Sequence, residues 1–516
     1  MAKQGPRQTA VADLTNQLSR LKLAAAALAL IPHLQIQSDE ERVGILLPPG
    51  CAGTMVNLAV ALSGRTAVNL NHTVGEVGLV RMCELASLRT VITAEKYTER
   101  IGWYASLPVR RIDLETIRPK MSRFSILRAM ARVLIQPARK LSQGRPDDVA
   151  ALVFSSGSTG DPKGVQLTHR QLLANIHGVR GHLRLEPKRD VVLSPLPLFH
   201  SFGISTGMWM PLIIGLPAIC HPDPRDARAL GELSERHGPT LFVSTPTFTR
   251  GYLRRIPKHQ FSSLRFGVVG AEKCPPDLRR AFREKYDAEL LEGYGCTELA
   301  PVVAVNVLDE DRRGTTEPGS KAGTVGRALP GIEVLAMDAE THEVLPRGET
   351  GLLIVRSPAR MLGYLDRLDL TESSFVHGGY NTGDLGFVDQ AGFITITGRL
   401  ARFAKIGGEM VPMDLIEEKL RERLLELSDE GDEHDIAITA ISDQSKGERL
   451  LLLHTDMPHS VAELLEGLDD LPPIFRPKER DAHRVDEIPT IGTGKRDLKG
   501  LKALGEKLVG AGSRAV

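Results

Sequence analysis

Short apolar runs rich in β-branched residues recur along the first 300 residues, separated by stretches of helical spacing. They are "RVGILLP" at Arg42, "TVITA" at Thr90, "VAALVFSS" at Val149, "DVVLS" at Asp190, "TLFVST" at Thr240 and "RFGVVG" at Arg265. Between them lie segments such as "PPDLRRAFREKYDAELL" from Pro275 to Leu291. This alternation predicts βα units wound around mostly parallel sheets. After about residue 320 the pattern changes to Gly- and Pro-punctuated strands, "GLLIVRS" and "GFITITGR", so an antiparallel, β-barrel-like subdomain is expected there. A charged helix over Met413–Leu427 then opens a smaller α+β unit. The expected organisation is therefore α/β, with residues 1–399 as a large N-terminal domain and 400–516 as a small C-terminal domain.

At 516 residues the chain exceeds one core and has interior to spare for a ligand. Sixty-five basic against 64 acidic residues leave a formal charge of +1, so no global field recruits nucleic acid. The five cysteines are scattered without a CxxC pair, which fits free thiols in a reducing compartment and offers no zinc site. "LAAAALALIPHL" from Leu23 is too short to span a bilayer and reads as a core helix, so a cytoplasmic location is expected.

Chemistry concentrates in a few runs. "FSSGSTGDPKG", Phe154 to Gly164, follows a strand and combines flexible Gly157 and Gly160 with hydroxyls of Ser155, Ser156, Ser158 and Thr159 and the cation Lys163. Glycine backbone freedom lets several N–H groups converge on an anion. The spacing matches neither GxxxxGK[ST] nor GxGxxG, so a P-loop or dinucleotide site does not follow, and a plain turn remains an equal reading. Three further runs are "EGYGCTELAP" from Glu292, "YNTGDLG" from Tyr380 leading to "TGRLARFAKIGGEMVP", and "PTIGTGKRDL" from Pro489. Each alone is weak.

Together and in this order, the four runs resemble the signature set of the adenylate-forming superfamily, which includes acyl-CoA ligases, nonribosomal adenylation domains and luciferase-like enzymes. "LPLFHSFGI", "GAEK" and "RFAKIGGEMV" are most similar to the acyl-acyl carrier protein synthetase half of bifunctional 2-acylglycerophosphoethanolamine acyltransferases. The resemblance implies that a fatty carboxylate attacks the α-phosphorus of ATP, giving acyl-AMP, and that a phosphopantetheine thiol then takes the acyl group. Acyl carrier protein is the implied acceptor, with CoA the alternative; a non-catalytic acyl- or nucleotide-binding scaffold is the alternative of another class.

The same resemblance implies roles for individual residues. The Ser155–Gly164 loop would hold the leaving phosphates. Thr297 would bond the α-phosphate and Glu298 would take Mg²⁺, although a bare "TE" pair is also an ordinary helix N-cap. Asp384 would accept the ribose hydroxyls, Arg399 would add a second contact, and Gly270, Ala271, Gly293 and Tyr294 would wall the adenine slot. Lys495 would bridge α-phosphate and carboxylate, and Lys405 would face the site after the small domain swings. Ala401 occupies the hinge position, where Asp or Lys is usual. His200, Phe202, Gly207, Met208 and Thr245 would line an acyl pocket free of charge, with a structural histidine as the equal reading of His200.

The basic, apolar stretch Lys120–Lys140 places Phe124, Leu127, Met130 and Leu134 on one helical face. Contact with an anionic membrane and a partly buried surface helix are both open readings.

Overall fold

The computed structural model describes residues 2–34, 39–103, 106–156, 162–312, 315–407, 409–427, 434–443, 446–468, 470–490 and 496–512. Two sheets dominate. One has nine strands and is parallel through the run Val192–Ser194, Leu241–Ser244, Phe266–Val269 and Glu289–Gly295, turning antiparallel at Val302–Val305. The other has seven strands, with a parallel centre formed by Arg42–Leu46, Thr66–Asn69 and Thr90–Thr93. Each run read as a strand in this half lies in one of these sheets, because residues buried on both faces must be apolar throughout.

The segment from Pro275 is divided differently from its periodicity. The helix covers Pro276–Tyr286 and stops where Asp287 takes a left-handed backbone (φ +55°). "ELLEGYG" then enters the nine-stranded sheet instead of continuing the helix. The apolar pair Leu290 and Leu291 suits either element, and a strand needs less length to bury it.

Past residue 330, Glu333–Met337, Gly351–Arg356, Gly379–Val388 and Ile394–Arg399 pair antiparallel. From Ala404 onward a separate apolar cluster, including Ile416, Leu420 and Leu452, packs the helix Met413–Leu427 against its own five-stranded sheet. Arg402 is buried at the start of this unit and is neutralised by Asp414 and Glu417, each 2.6 Å away. Lys273 reaches across from the large unit to Glu418 at 2.5 Å.

All five cysteines are free, and among the described residues no helix is long and apolar enough to cross a membrane. "LAAAALAL" lies in the helix Arg20–Leu30, whose Leu23, Ala25 and Ala27 are fully buried.

Candidate functional site

A cavity of about 740 Å³, open solvent at its mouth included, lies beside the carboxyl ends of the parallel strands in the nine-stranded sheet. Open α/β sheets bind ligands at that end. Val243, Val268 and Val305 project from the strands, while Val179 and Leu183 come from the covering helix His169–Leu183. That helix starts at a capping box, Thr168 and Gln171 exchanging side-chain and backbone hydrogen bonds, and so its entry is fixed. Among the described residues, no Asp, Glu, Lys or Arg lines it.

One rim of the cavity is Gly270, Ala271, Gly293 and Tyr294, the four residues expected at an adenine slot. A Cβ on Gly270 would stand 3.1 Å from the Gly293 carbonyl oxygen, so the two loops meet backbone to backbone. Ala271 holds a left-handed φ of +73°. Tyr294 donates its hydroxyl to Asp384 Oδ2 at 2.5 Å, and Arg399 Nε donates to Asp384 Oδ1 at 2.8 Å. Asp384 and Arg399 are register partners on adjacent strands, which fixes their separation before any ligand arrives. Burial, then the neighbouring Asp384 charge, pushes the Tyr294 hydroxyl well above its ordinary range; the Asp384 charge holds the Arg399 guanidinium up. Each carboxylate oxygen keeps a lone pair for a further donor.

Thr297 lines the cavity and shares a 3.0 Å hydroxyl contact with Ser201. The adjacent Glu298 is 8% exposed and accepts from the Tyr364 hydroxyl at 2.8 Å. Tyr364 also lies 3.3 Å from Tyr380 Oη, and its ring centroid is 5.3 Å from Lys163 Nζ. Desolvation, then the Glu298 charge, raises both phenols, so they stay protonated and serve as donors. Lys163 is brought here by a hairpin in which Ser155 pairs with Lys163 and Ser156 with Pro162. Its strand also pairs with Gly363–Tyr364. The base of the glycine-rich loop and the carboxylate of "TE" are thus neighbours, 135 positions apart in the chain.

Among the acyl-pocket residues, His200 and Phe202 line the cavity and also a smaller one of about 270 Å³ that Thr245 helps to wall. Gly207 and Met208 face elsewhere. The segment Gly203–Trp209 winds as a π-helix, and the side chains it and the next turn contribute are Thr206 and Met210. A Cβ on Gly207 would fall 2.0 Å from Ser194 Oγ, so this glycine lets the wider turn pack on its strand. Met208 is buried in the core.

Lys405 is exposed on the strand Phe403–Ile406, and its backbone N–H is accepted by Glu448. Gly157, Ser158, Thr159, Gly160 and Lys495 lie outside the described residues, as do the side chains of Ser156 and Ala401. The motifs alone did not single out Tyr364, Tyr380, Ser201 or Thr206. Tyr364 sits in ordinary strand sequence and gains its meaning from the pairing with the loop hairpin; Tyr380 opens the "YNTGDLG" run, and its hydroxyl is brought 3.3 Å from that of Tyr364.

The AMP-binding enzyme family model matches residues 1–365. The chain belongs to the AMP-binding enzyme family. Its relatives in that family include the medium-chain fatty-acid–CoA ligase of Escherichia coli K12, 28% identical over 87% of this chain and 78% of that protein. The long-chain-fatty-acid–CoA ligase of Escherichia coli O157:H7 is 32% identical over 53% of this chain and 48% of that protein. The chain thus spans about half the length of the first curated relatives it matches. Among solved structures, the ATP-bound RpMatB-BxBclM chimera B3 superposes with a TM-score of 0.79 at 25% identity, covering 97% of this chain and 96% of that one. The large N-terminal and small C-terminal units share the fold of these solved structures.

Proposed function

We propose that this AMP-binding enzyme is an ATP-dependent fatty acyl ligase of the AMP-forming acid–thiol class. One observation carries the reading: a polar rim suited to a nucleotide, Tyr294, Asp384, Arg399 and Thr297, adjoins a cavity whose other walls are chiefly aliphatic and, among the described residues, carry no Asp, Glu, Lys or Arg. An alkyl monocarboxylate can enter such a cavity, whereas a second charged group would be left without a counter-ion.

In the first step a carboxylate oxygen bonds to the α-phosphorus and the bond to the bridging oxygen breaks, so pyrophosphate leaves with the electron pair. The nucleophile is ionised at neutral pH and needs no base. Catalysis consists of holding two anions together. Asp384 fixes the ribose, Thr297 donates to the α-phosphate, and Lys163 with the loop hydroxyls holds the departing phosphates. Glu298 fits Mg²⁺, which takes one or two carboxylates beside phosphate and water: it is a buried oxygen donor held by Tyr364. When bound, the ion supplies neutralisation of phosphate charge.

In the second step a phosphopantetheine thiol attacks the acyl carbon and AMP departs. The 400–516 unit turns about Ala401 between the steps, withdrawing Lys495 and presenting Lys405. The names of the relatives favour CoA as the thiol; transfer to acyl carrier protein is the alternative. Fatty-acid-dependent ATP–pyrophosphate exchange tests the first step, and discharge of acyl-AMP by CoA against holo carrier protein tests the second. No exchange with any fatty acid would overturn the ligase reading in favour of a binding scaffold.

A further inference from the structure

The helix Arg123–Ile135 belongs to the connection between the edge strand Arg110–Asp113 and the strand Val149–Ser156. It packs on the helix Arg20–Leu30 through Ala129 and Val133, with Ile126 and Met130 half-buried beside them. Met130, expected on the apolar outer face, therefore belongs to the inner one. The opposite face is apolar as well, and among the described residues nothing covers it. Phe124 is 76% exposed, Leu127 62%, Leu134 46% and Ile135 79%. At about 100° per residue these four, with the exposed Ala131, form a single stripe. Arg123 borders the stripe on one side, and Arg128 and Arg132 border it on the other.

The charge on the segment that carries this face has one sign. From Thr116 to Pro146 the chain has no carboxylate in 31 residues and carries eight Lys or Arg. Among the described residues, Arg118, Lys120, Arg123, Arg128, Arg132 and Lys140 take no part in any ion pair. A second copy of the same face would bring these cations against one another, and a typical protein partner would have to match an acid-free patch flanked by six unpaired charges. A bilayer surface with anionic headgroups satisfies both elements at once: aliphatic and aromatic side chains enter the headgroup–acyl boundary, and arginines on both flanks reach phosphates.

We propose that the helix Arg123–Ile135 is an interfacial docking surface that seats this enzyme on anionic membrane. The stripe lies parallel to the helix axis, so the helix lies in the plane of the interface and does not cross it. The proposal is independent of the acyl-ligase reading, since it rests on a face that contributes nothing to the cavity.

The test is co-sedimentation of the full chain with vesicles of phosphatidylcholine alone and of phosphatidylcholine with phosphatidylglycerol in about equal parts. Binding is expected only to the anionic vesicles. The triple variant Arg123→Ser, Arg128→Ser, Arg132→Ser should weaken partitioning about a hundredfold. Phe124→Ser with Ile135→Ser should weaken it about tenfold or more while leaving the net charge unchanged. Molar salt should abolish the arginine contribution and spare the apolar one. All the changed side chains are exposed, and unchanged thermal unfolding will show that the variants fold. Equal binding to neutral vesicles, no binding to either, or wild-type binding by the arginine variant would each overturn the proposal. So would a dimer in solution that Phe124→Ser dissolves, because the stripe would then be covered by a second copy.

Discussion

Tyr364 donates its hydroxyl to Glu298 across 2.8 Å, joining two residues that lie 66 positions apart. The phenol fixes one oxygen of a buried carboxylate, while the face of the same ring supports Lys163. One side chain therefore sets the positions of both charges proposed to meet the triphosphate and its cation.

Tyr364→Phe keeps the ring beneath Lys163 and removes only the donor. A hydrogen bond to a charged group contributes about 1.5–3 kcal/mol, so kcat/KM for ATP in the exchange reaction should fall about tenfold or more. The Mg²⁺ concentration for half-maximal rate should rise with it. An unchanged Mg²⁺ profile would remove Tyr364 from the positioning of Glu298.

Asp384 accepts from Tyr294 and Arg399 simultaneously. Asp384→Asn keeps the volume but loses the charge and sets an NH2 group opposite one of the two existing donors. KM for ATP should rise on the order of ten- to a hundredfold with a smaller change in kcat. If instead kcat alone falls, Asp384 does not serve ground-state binding of the nucleotide.

Glu292 carries a pH-dependent load. Burial, eased in part by the Cys274 N–H and by the charges of Lys273 and Arg279, raises its carboxyl from 4.5 to about 7. With the folded value above the unfolded one, its stabilising contribution is complete below about pH 4.5, falls as pH rises and is lost above about 7. Glu292→Gln keeps an acceptor for the Cys274 N–H and should be more stable than the parent at pH 8 by up to about 3 kcal/mol. Denaturant titrations at pH 8 and at pH 4.5 should show that advantage at the higher pH and its disappearance at the lower. Equal differences at both would place the effect outside this ionisation.

Val268 projects from the central sheet into the cavity. Val268→Phe should shorten the longest fatty acid accepted in pyrophosphate exchange, at a cost in stability of about 1–3 kcal/mol from overpacking. A uniform loss across chain lengths, with no shift in preference, would mean that the acyl chain runs elsewhere.

Lys495→Ala should abolish adenylation yet leave transfer from supplied acyl-AMP largely intact, because the lysine is assigned to the first pose alone. Equal loss in both half-reactions would contradict the two-pose scheme.

Much of this site was legible in order along the chain. The four runs named the family, and the threonine of "TE" and the pair Gly270–Ala271 line the cavity, with the aspartate of "TGD" bonded to Tyr294 on its rim. Glycine, hydroxyl and carboxylate requirements are local, so they leave a signature in short words. The alternation of apolar runs similarly determined the parallel sheets, because burial on both faces tolerates little else.

What the tertiary structure decided is the set of relations across distance. The hairpin beneath the glycine-rich loop is tied to Glu298 through Tyr364, since the strand carrying Lys163 pairs with Gly363–Tyr364. Gly207 and Met208 look like pocket residues in sequence, yet the π-helical turn rotates Thr206 and Met210 into the wall instead. Met130 and Phe124 belong to one amphipathic pattern in sequence, and only the packing on Arg20–Leu30 sorts one inward and the other outward. A sequence specifies which side chains must leave water; which neighbour receives each of them is settled by the close packing of segments far apart in the chain.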